Sequence, residues 1–323
     1  MQRAPPAIAR MTANAGIQRS VLVSAFGVGD TRNRGRLAYR TIVAAIFRAK
    51  RRPEKIPPAI ALLASPNTLG STEMDLELTG RSVLITGASR GIGAAASEVF
   101  AQEGCSLHLA ARDHAALDAI AGRLRTSYGT RVRIHPVDLR DPQQLAALAA
   151  AVPDLDILVN NAGDIPAGSI HQVDAQAWRH AWDLKVHGYI DLTRLIYVAM
   201  KENGRGVIIN NIGAAGESVN PDYIAGSAGN AALMALTRAL GGRSLKDGIR
   251  VVGVNPGPVA TDRMLELASS SEQFRKAVER FPGGRAAEPR EIADMMAFLA
   301  SDRSAYTSGT VVTIDGGMSV TAM

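Results

Sequence analysis

Cysteine is nearly absent: one residue in 323. That excludes a disulfide framework or a cysteine-built metal centre and fits a reducing, cytoplasmic setting. No stretch approaches the roughly 20 consecutive apolar residues that span a bilayer, so an integral membrane protein is excluded. The first residues lack the long apolar core and small-residue cleavage site of a secretory signal. His171, His180 and His187 have no cysteine or carboxylate at metal-ligand spacing, so no metal site is expected. There is no internal repeat. What remains, 46% hydrophobic and 20% charged residues, is the composition of a globular protein with a full core.

The net charge of +6 would suggest a nucleic-acid or membrane partner if it were evenly spread. It is not. Residues 1–73 carry 12 Lys and Arg against three acids, a balance of +9, whereas residues 74–323 carry 24 against 27, a balance of −3. The basic character belongs to the first quarter alone, and no nucleic-acid partner is expected for the remainder. Within that quarter Tyr39, Ile42, Val43, Ile46 and Phe47 recur at helical spacing, with Arg36, Arg40, Arg48 and Arg51 on the other side. Such a helix suits a membrane surface or a transit signal. The preferred reading is plainer: a disordered or non-native extension ahead of a domain that begins at Met74. A structured accessory element is the third alternative.

From Met74 onward, apolar runs alternate with helix-length segments. Seven runs read as strands: 82–86, 106–110, 131–137, 156–160, 206–211, 249–255 and 310–314. They are continuous in Val, Ile and Leu and do not alternate, which marks strands covered on both faces. Strands separated by helices give βαβ units. The expected fold is therefore α/β, a Rossmann-like, doubly wound, parallel seven-stranded sheet in three αβα layers.

The strongest chemical signal is Thr86-Gly87-Ala88-Ser89-Arg90-Gly91-Ile92-Gly93, placed between the first strand and a helix. Gly87 permits a tight turn, Gly91 lets backbone approach a pyrophosphate, and Gly93 allows close packing of helix on sheet. At the end of the second strand, where a bare ribose would require an acid, stands Arg112. With Arg90 it offers two guanidiniums to a 2′-phosphate, which favours NADP(H) over NAD(H). Asp113 follows directly and keeps NAD(H) in play.

These residues resemble the short-chain dehydrogenase/reductase family over about 250 positions. The loop spacing is that family's form. Asp138, with Leu139 beside it, stands where the family contacts adenine, and Asn160-Asn161-Ala162-Gly163 matches its turn after the fourth strand. Asn255-Pro256-Gly257-Pro258-Val259-Ala260-Thr261 matches its Pro-Gly loop, whose threonine meets the nicotinamide amide. The resemblance implies a small-molecule carbonyl or alcohol substrate. It also implies a homodimer or homotetramer packed through the helices near 174–202 and 222–245. Residues 262–285, with Met264, Leu265, Leu267 and Phe274, correspond to the cap that shapes substrate choice.

The family's catalytic Asn, Ser, Tyr and Lys do not carry over. On that frame Lys185 replaces the asparagine, Gly213 or Ala214 the serine, Gly226 the tyrosine, and Asn230 the lysine. Nearby, Tyr223, Ser227 and Asn230 are spaced i, i+4, i+7, which on a helix gives one shared face. The expected arrangement is a displaced acid: Tyr223 as proton donor, Lys185 as its electrostatic partner, Ser227 and Asn230 as polar support, with Asn230 also a cofactor contact that can hydrogen-bond the ribose. The competing function is a dinucleotide-binding sensor or partner subunit with little catalysis.

Overall fold

The computed structural model describes residues 74–262, 264–266, 278–279 and 281–320. The chain divides into two units, Met1–Met74 and Asp75–Met323. The expectations for residues 1–73, including the basic helix, lie outside the described residues.

The second unit has seven strands: β1 (Ser82–Thr86), β2 (Ser106–Ala111), β3 (Val132–Pro136), β4 (Ile157–Asn160), β5 (Gly206–Asn211), β6 (Ile249–Pro256) and β7 (Thr310–Ile314). All pairings are parallel and the order is β3-β2-β1-β4-β5-β6-β7. The seven runs read from the sequence are these strands, with end shifts of one residue. Between them lie α1 (Gly91–Gln102), α2 (His114–Tyr128), α3 (Pro142–Ala150), α4 (Ala175–Trp182), α5 (Gly188–Glu202) and α6 (Ile224–Ser244), with α7 (Pro289–Ala300) before β7.

The sheet buries both faces because its strands are apolar on both. On one side Val83, Ile85, Leu107 and Leu109 pack with Phe100 of α1, Leu117 of α2 and Met296 of α7. On the other, Leu84, Leu158, Ile208 and Val251 pack with Leu148 of α3 and with Leu192 and Ile196 of α5. Each such side chain removed from water contributes about 1.5–3 kcal/mol. Local signals fix the helix ends. Asp113, Asp141 and Asp174 cap α2, α3 and α4 by accepting from backbone N–H groups one turn ahead. Strand order reverses between β1 and β4, so the crevice for a ligand opens beyond their C-terminal ends.

Candidate active site

A cleft of about 1010 Å³ occupies that crevice. Its floor is a glycine cradle. Gly87 has φ +64°, and a β-carbon there would lie 2.8 Å from the Ala162 Cα; one on Gly93 would lie 2.1 Å from the Gly87 carbonyl oxygen. Only bare backbone fits, and the space it leaves lies at the start of α1, where the helix dipole favours a phosphate. Asn161 ties the cradle to β4: its Nδ2 donates to the Thr86 and Gly87 carbonyls at 2.9 and 3.3 Å, and its backbone N–H donates to Thr86 Oγ1. Ser89, Arg90, Gly91, Ile92, Ala162 and Gly163 complete this wall, and Pro256, Gly257, Val259 and Thr261 face it across the cleft. The residues present therefore fit a dinucleotide.

Arg112 and Arg90 both line the cleft, and neither is held by a carboxylate among the described residues. Asp113 lines the cleft beside Arg112, and its Oδ1 accepts from Ala116 N at 3.0 Å as the cap of α2. Asp138 departs from the expectation. Val137 and Leu139 line the cleft, while the Asp138 carboxylate is clasped by Arg140 at 2.7–3.2 Å. That side-chain hydrogen bond, above all, holds its pKa below the usual carboxylate range. Arg140 also meets His180.

At the inner end, a five-residue π-turn, Asp183–His187, joins α4 to α5. Such wide turns are frequent at functional sites. Lys185 sits in its middle. Its stem lies over Gly163, where a β-carbon would be 3.0 Å from the lysine Cδ. Its Nζ donates to the Ile212 carbonyl at 2.5 Å. Burial pulls this ammonium down to about 8.

Tyr223 lines the cleft but does not belong to a helical face with Ser227 and Asn230. It stands at the N-cap of α6 with φ −138° and ψ 44°, and its ring folds back over Gly226. A β-carbon on Gly226 would lie 1.9 Å from Cε1 and 2.1 Å from Cζ. Ser227 is a correction: its hydroxyl accepts from Asn220 N and donates to Asn220 O, holding the loop before α6 rather than facing the cleft. Asn230 is 2% exposed, and its Nδ2 would stand 2.8 Å from a β-carbon on Gly213. Its Oδ1 and that of Asn211 are buried without a hydrogen-bond partner among the described residues. Of the expected cap residues, Met264 is half-buried and Leu265 exposed, while Leu267 and Phe274 lie outside the described residues.

Some neighbours carried no sequence signal. His108 and His135 meet across β2 and β3, Nδ1 to Nε2, at 2.9 Å; burial, then the neighbouring imidazole, lowers His108 to about 4. Only strand register could have paired them. Among the described residues no group of three or more His, Cys, Asp or Glu is placed to hold a metal ion. No helix there is long and apolar enough to cross a membrane. Cys105 is buried, its thiol donating to the Leu78 carbonyl and pushed up to about 12 by burial.

A family model described as enoyl-(acyl carrier protein) reductase matches residues 87–319. Galactitol 2-dehydrogenase (L-tagatose-forming) of Cereibacter sphaeroides is 35% identical over 245 residues, covering 75% of this chain and 96% of its own. L-sorbose reductase of Gluconobacter frateurii, solved with NADPH and L-sorbose, superposes with a TM-score of 0.73 at 32% identity, over 77% of this chain and all of its own. A 7α-hydroxysteroid dehydrogenase solved with NADH and a 7-oxo bile acid conjugate superposes with a TM-score of 0.71 at 29% identity, over 75% of this chain and 96% of its own.

Proposed function

The chain belongs to the short-chain dehydrogenase/reductase family, and from that premise we propose that it is an NADP(H)-preferring oxidoreductase interconverting a small-molecule carbonyl and alcohol through displaced catalytic side chains. The observation that carries this reading is the Tyr223 ring. It takes the volume next to Gly226, the position where the resemblance places a catalytic tyrosine. A phenol is thus kept in the cleft although its place in the chain has moved by three residues.

The lysine and asparagine are displaced as well, and reciprocally. Lys185 takes the asparagine's place and Asn230 the lysine's, and the two reach adjoining residues of one turn, Ile212 and Gly213. Lys185 lines the cleft, while Asn230, 2% exposed, packs against Gly213 of that turn. A cation in the cleft favours the phenolate of a tyrosine. Tyr223 then donates a proton to the oxygen of a carbonyl being reduced, or accepts one from an alcohol being oxidised.

When bound, the dinucleotide gives or takes the hydride. This chain's residues hold it: the loop Gly87–Gly93 at the pyrophosphate, Arg90 and Arg112 at a 2′-phosphate, Leu139 and Asn161–Gly163 at the adenosine side, and Pro256–Thr261 at the nicotinamide. Asp113 caps α2 through one oxygen and still lines the cleft, which leaves NAD(H) as the second cofactor. The single buried thiol suits a cytoplasmic protein, and exposed Leu195 and Val198 on α5 suit a homo-oligomer packed through that helix.

Reciprocal exchange tests the reading. Lys185→Asn leaves two amides at the turn, and Asn230→Lys leaves two ammoniums repelling each other. Each is expected to lower NADPH-dependent turnover at least tenfold, across a panel of ketoses, aldehydes and cyclic ketones. The double variant should regain most of it. A double variant as slow as the worse single one, with native circular dichroism and NADPH affinity, would overturn the assignment.

A further inference from the structure

Lysine is scarce in this chain, six residues, and among the described residues only Lys185 lines the cleft. Its surroundings are unusual for an ammonium. No carboxylate pairs with it among the described residues, although Asp164 and Asp262 share the cleft wall. Among the described residues its one hydrogen-bond partner is the Ile212 carbonyl. Lys201, by contrast, is 59% exposed at its side chain and paired with Asp247 at 3.0 Å. Half-buried on the cleft wall, with one neutral acceptor and no carboxylate partner among the described residues, the amine is open to a small carbonyl compound in the cleft, and a lysine so placed can act as a nucleophile.

We propose that Lys185 is a carbonyl-capture site: with the cleft free of dinucleotide, its amine adds to the carbonyl carbon of a small aldehyde and forms an imine. The nitrogen lone pair makes the N–C bond and the C=O π pair moves to oxygen. A proton passes from nitrogen to oxygen to give the carbinolamine. The hydroxyl takes a proton from solvent as the C–O bond breaks and leaves as water, the nitrogen lone pair forms the C=N bond, and the nitrogen's remaining proton returns to solvent. No oxidant or reductant is consumed. The step goes beyond hydride transfer, and resting on the same cleft it competes with dinucleotide binding.

Burial makes the chemistry accessible near neutrality. With its pKa at about 8 rather than 10.5, about one Lys185 in ten is neutral at pH 7, against about one in three thousand for an ordinary lysine. The α-amine, with an ordinary pKa of about 7.7–8.0, reacts in the same range and serves as an internal reference.

Treating the full-length protein with butyraldehyde and borohydride at pH 7, then mapping butylated peptides by mass spectrometry, tests this directly. Lys185 is expected to label at a rate comparable to the Met1 α-amine and at least tenfold above Lys201 and Lys246. Saturating NADPH should suppress Lys185 alone. Labelling of Lys185 no faster than Lys201 and Lys246 overturns the capture site. Fast labelling that NADPH leaves unchanged supports capture and counts instead against the placement of Lys185 beside the dinucleotide, so the two readings fail separately.

Discussion

The ring of Tyr223 occupies the space in which a side chain at Gly226 would begin, with Cε1 at 1.9 Å and Cζ at 2.1 Å from a β-carbon built there. The two positions therefore cannot both carry side chains in this conformation. Gly226→Ala is expected to expel the ring and to behave like Tyr223→Phe, lowering turnover by about 10²–10⁴, the usual contribution of a positioned general acid. The double variant should be no slower than either single one, because both remove the same interaction. NADPH oxidation measures the rates, and fluorescence titration should give NADPH affinities within threefold of each other.

The fold is legible in the sequence because its signals are local. Seven Val/Ile/Leu runs and the loop at Gly87–Gly93 need no knowledge of distant neighbours. The cofactor wall follows for the same reason. The inner end is harder. Lys185 is visible as a residue, but the π-turn that presents it is a phase change in hydrogen bonding with no composition of its own. Spacing puts Tyr223 on a helical face, yet the helix starts one residue later and the ring turns back. Ser227 and Asp138 read as cleft residues, but each has a nearer partner, Asn220 and Arg140. Spacing predicts faces; it does not predict which neighbour claims a polar group first.

Cofactor choice should rest on Arg112 and Arg90. A hydrogen bond to a charged group contributes about 1.5–3 kcal/mol, so Arg112→Ala is expected to weaken NADPH about 10- to 150-fold. NADH affinity should hardly move. Asp113→Ala removes the cap of α2 and should cost about 1 kcal/mol in urea unfolding with the NADPH/NADH ratio unchanged. A shift of that ratio toward NADPH in Asp113→Ala would reveal the carboxylate as a ribose contact.

Lys185 also makes stability depend on pH. Its folded pKa, about 8, lies below its ordinary 10.5, so between those values the unfolded chain binds more protons. Stability from this group therefore rises with pH over that window, and the cost of burying the cation is fully present below pH 8. Lys185→Met is expected to be more stable than the parent at pH 7, with the advantage shrinking toward pH 10. Urea midpoints at pH 7, 8.5 and 10 read the trend, and a constant difference would mean that the amine is not desolvated.

Arg250 is buried in β6 at 6% exposure, with no carboxylate in hydrogen-bond range among the described residues. Its Nη1 donates to Leu299 O at 2.7 Å and Ser304 Oγ at 3.1 Å; its Nη2 donates to Ala300 O and Ser301 O at 3.0 Å. One guanidinium thus satisfies the carbonyls that end α7, where the helix dipole also favours a cation. Arg250→Met strands several buried acceptors at once and should lower stability by about 2–4 kcal/mol. Arg250→Lys keeps the charge but cannot fork to four acceptors, and should recover less than half of that. NADPH affinity should stay within threefold in both, since the cleft lies at the other end of β6, beyond Asn255 and Pro256. Urea unfolding with an unchanged m-value separates lost anchoring from a change in the unfolded state.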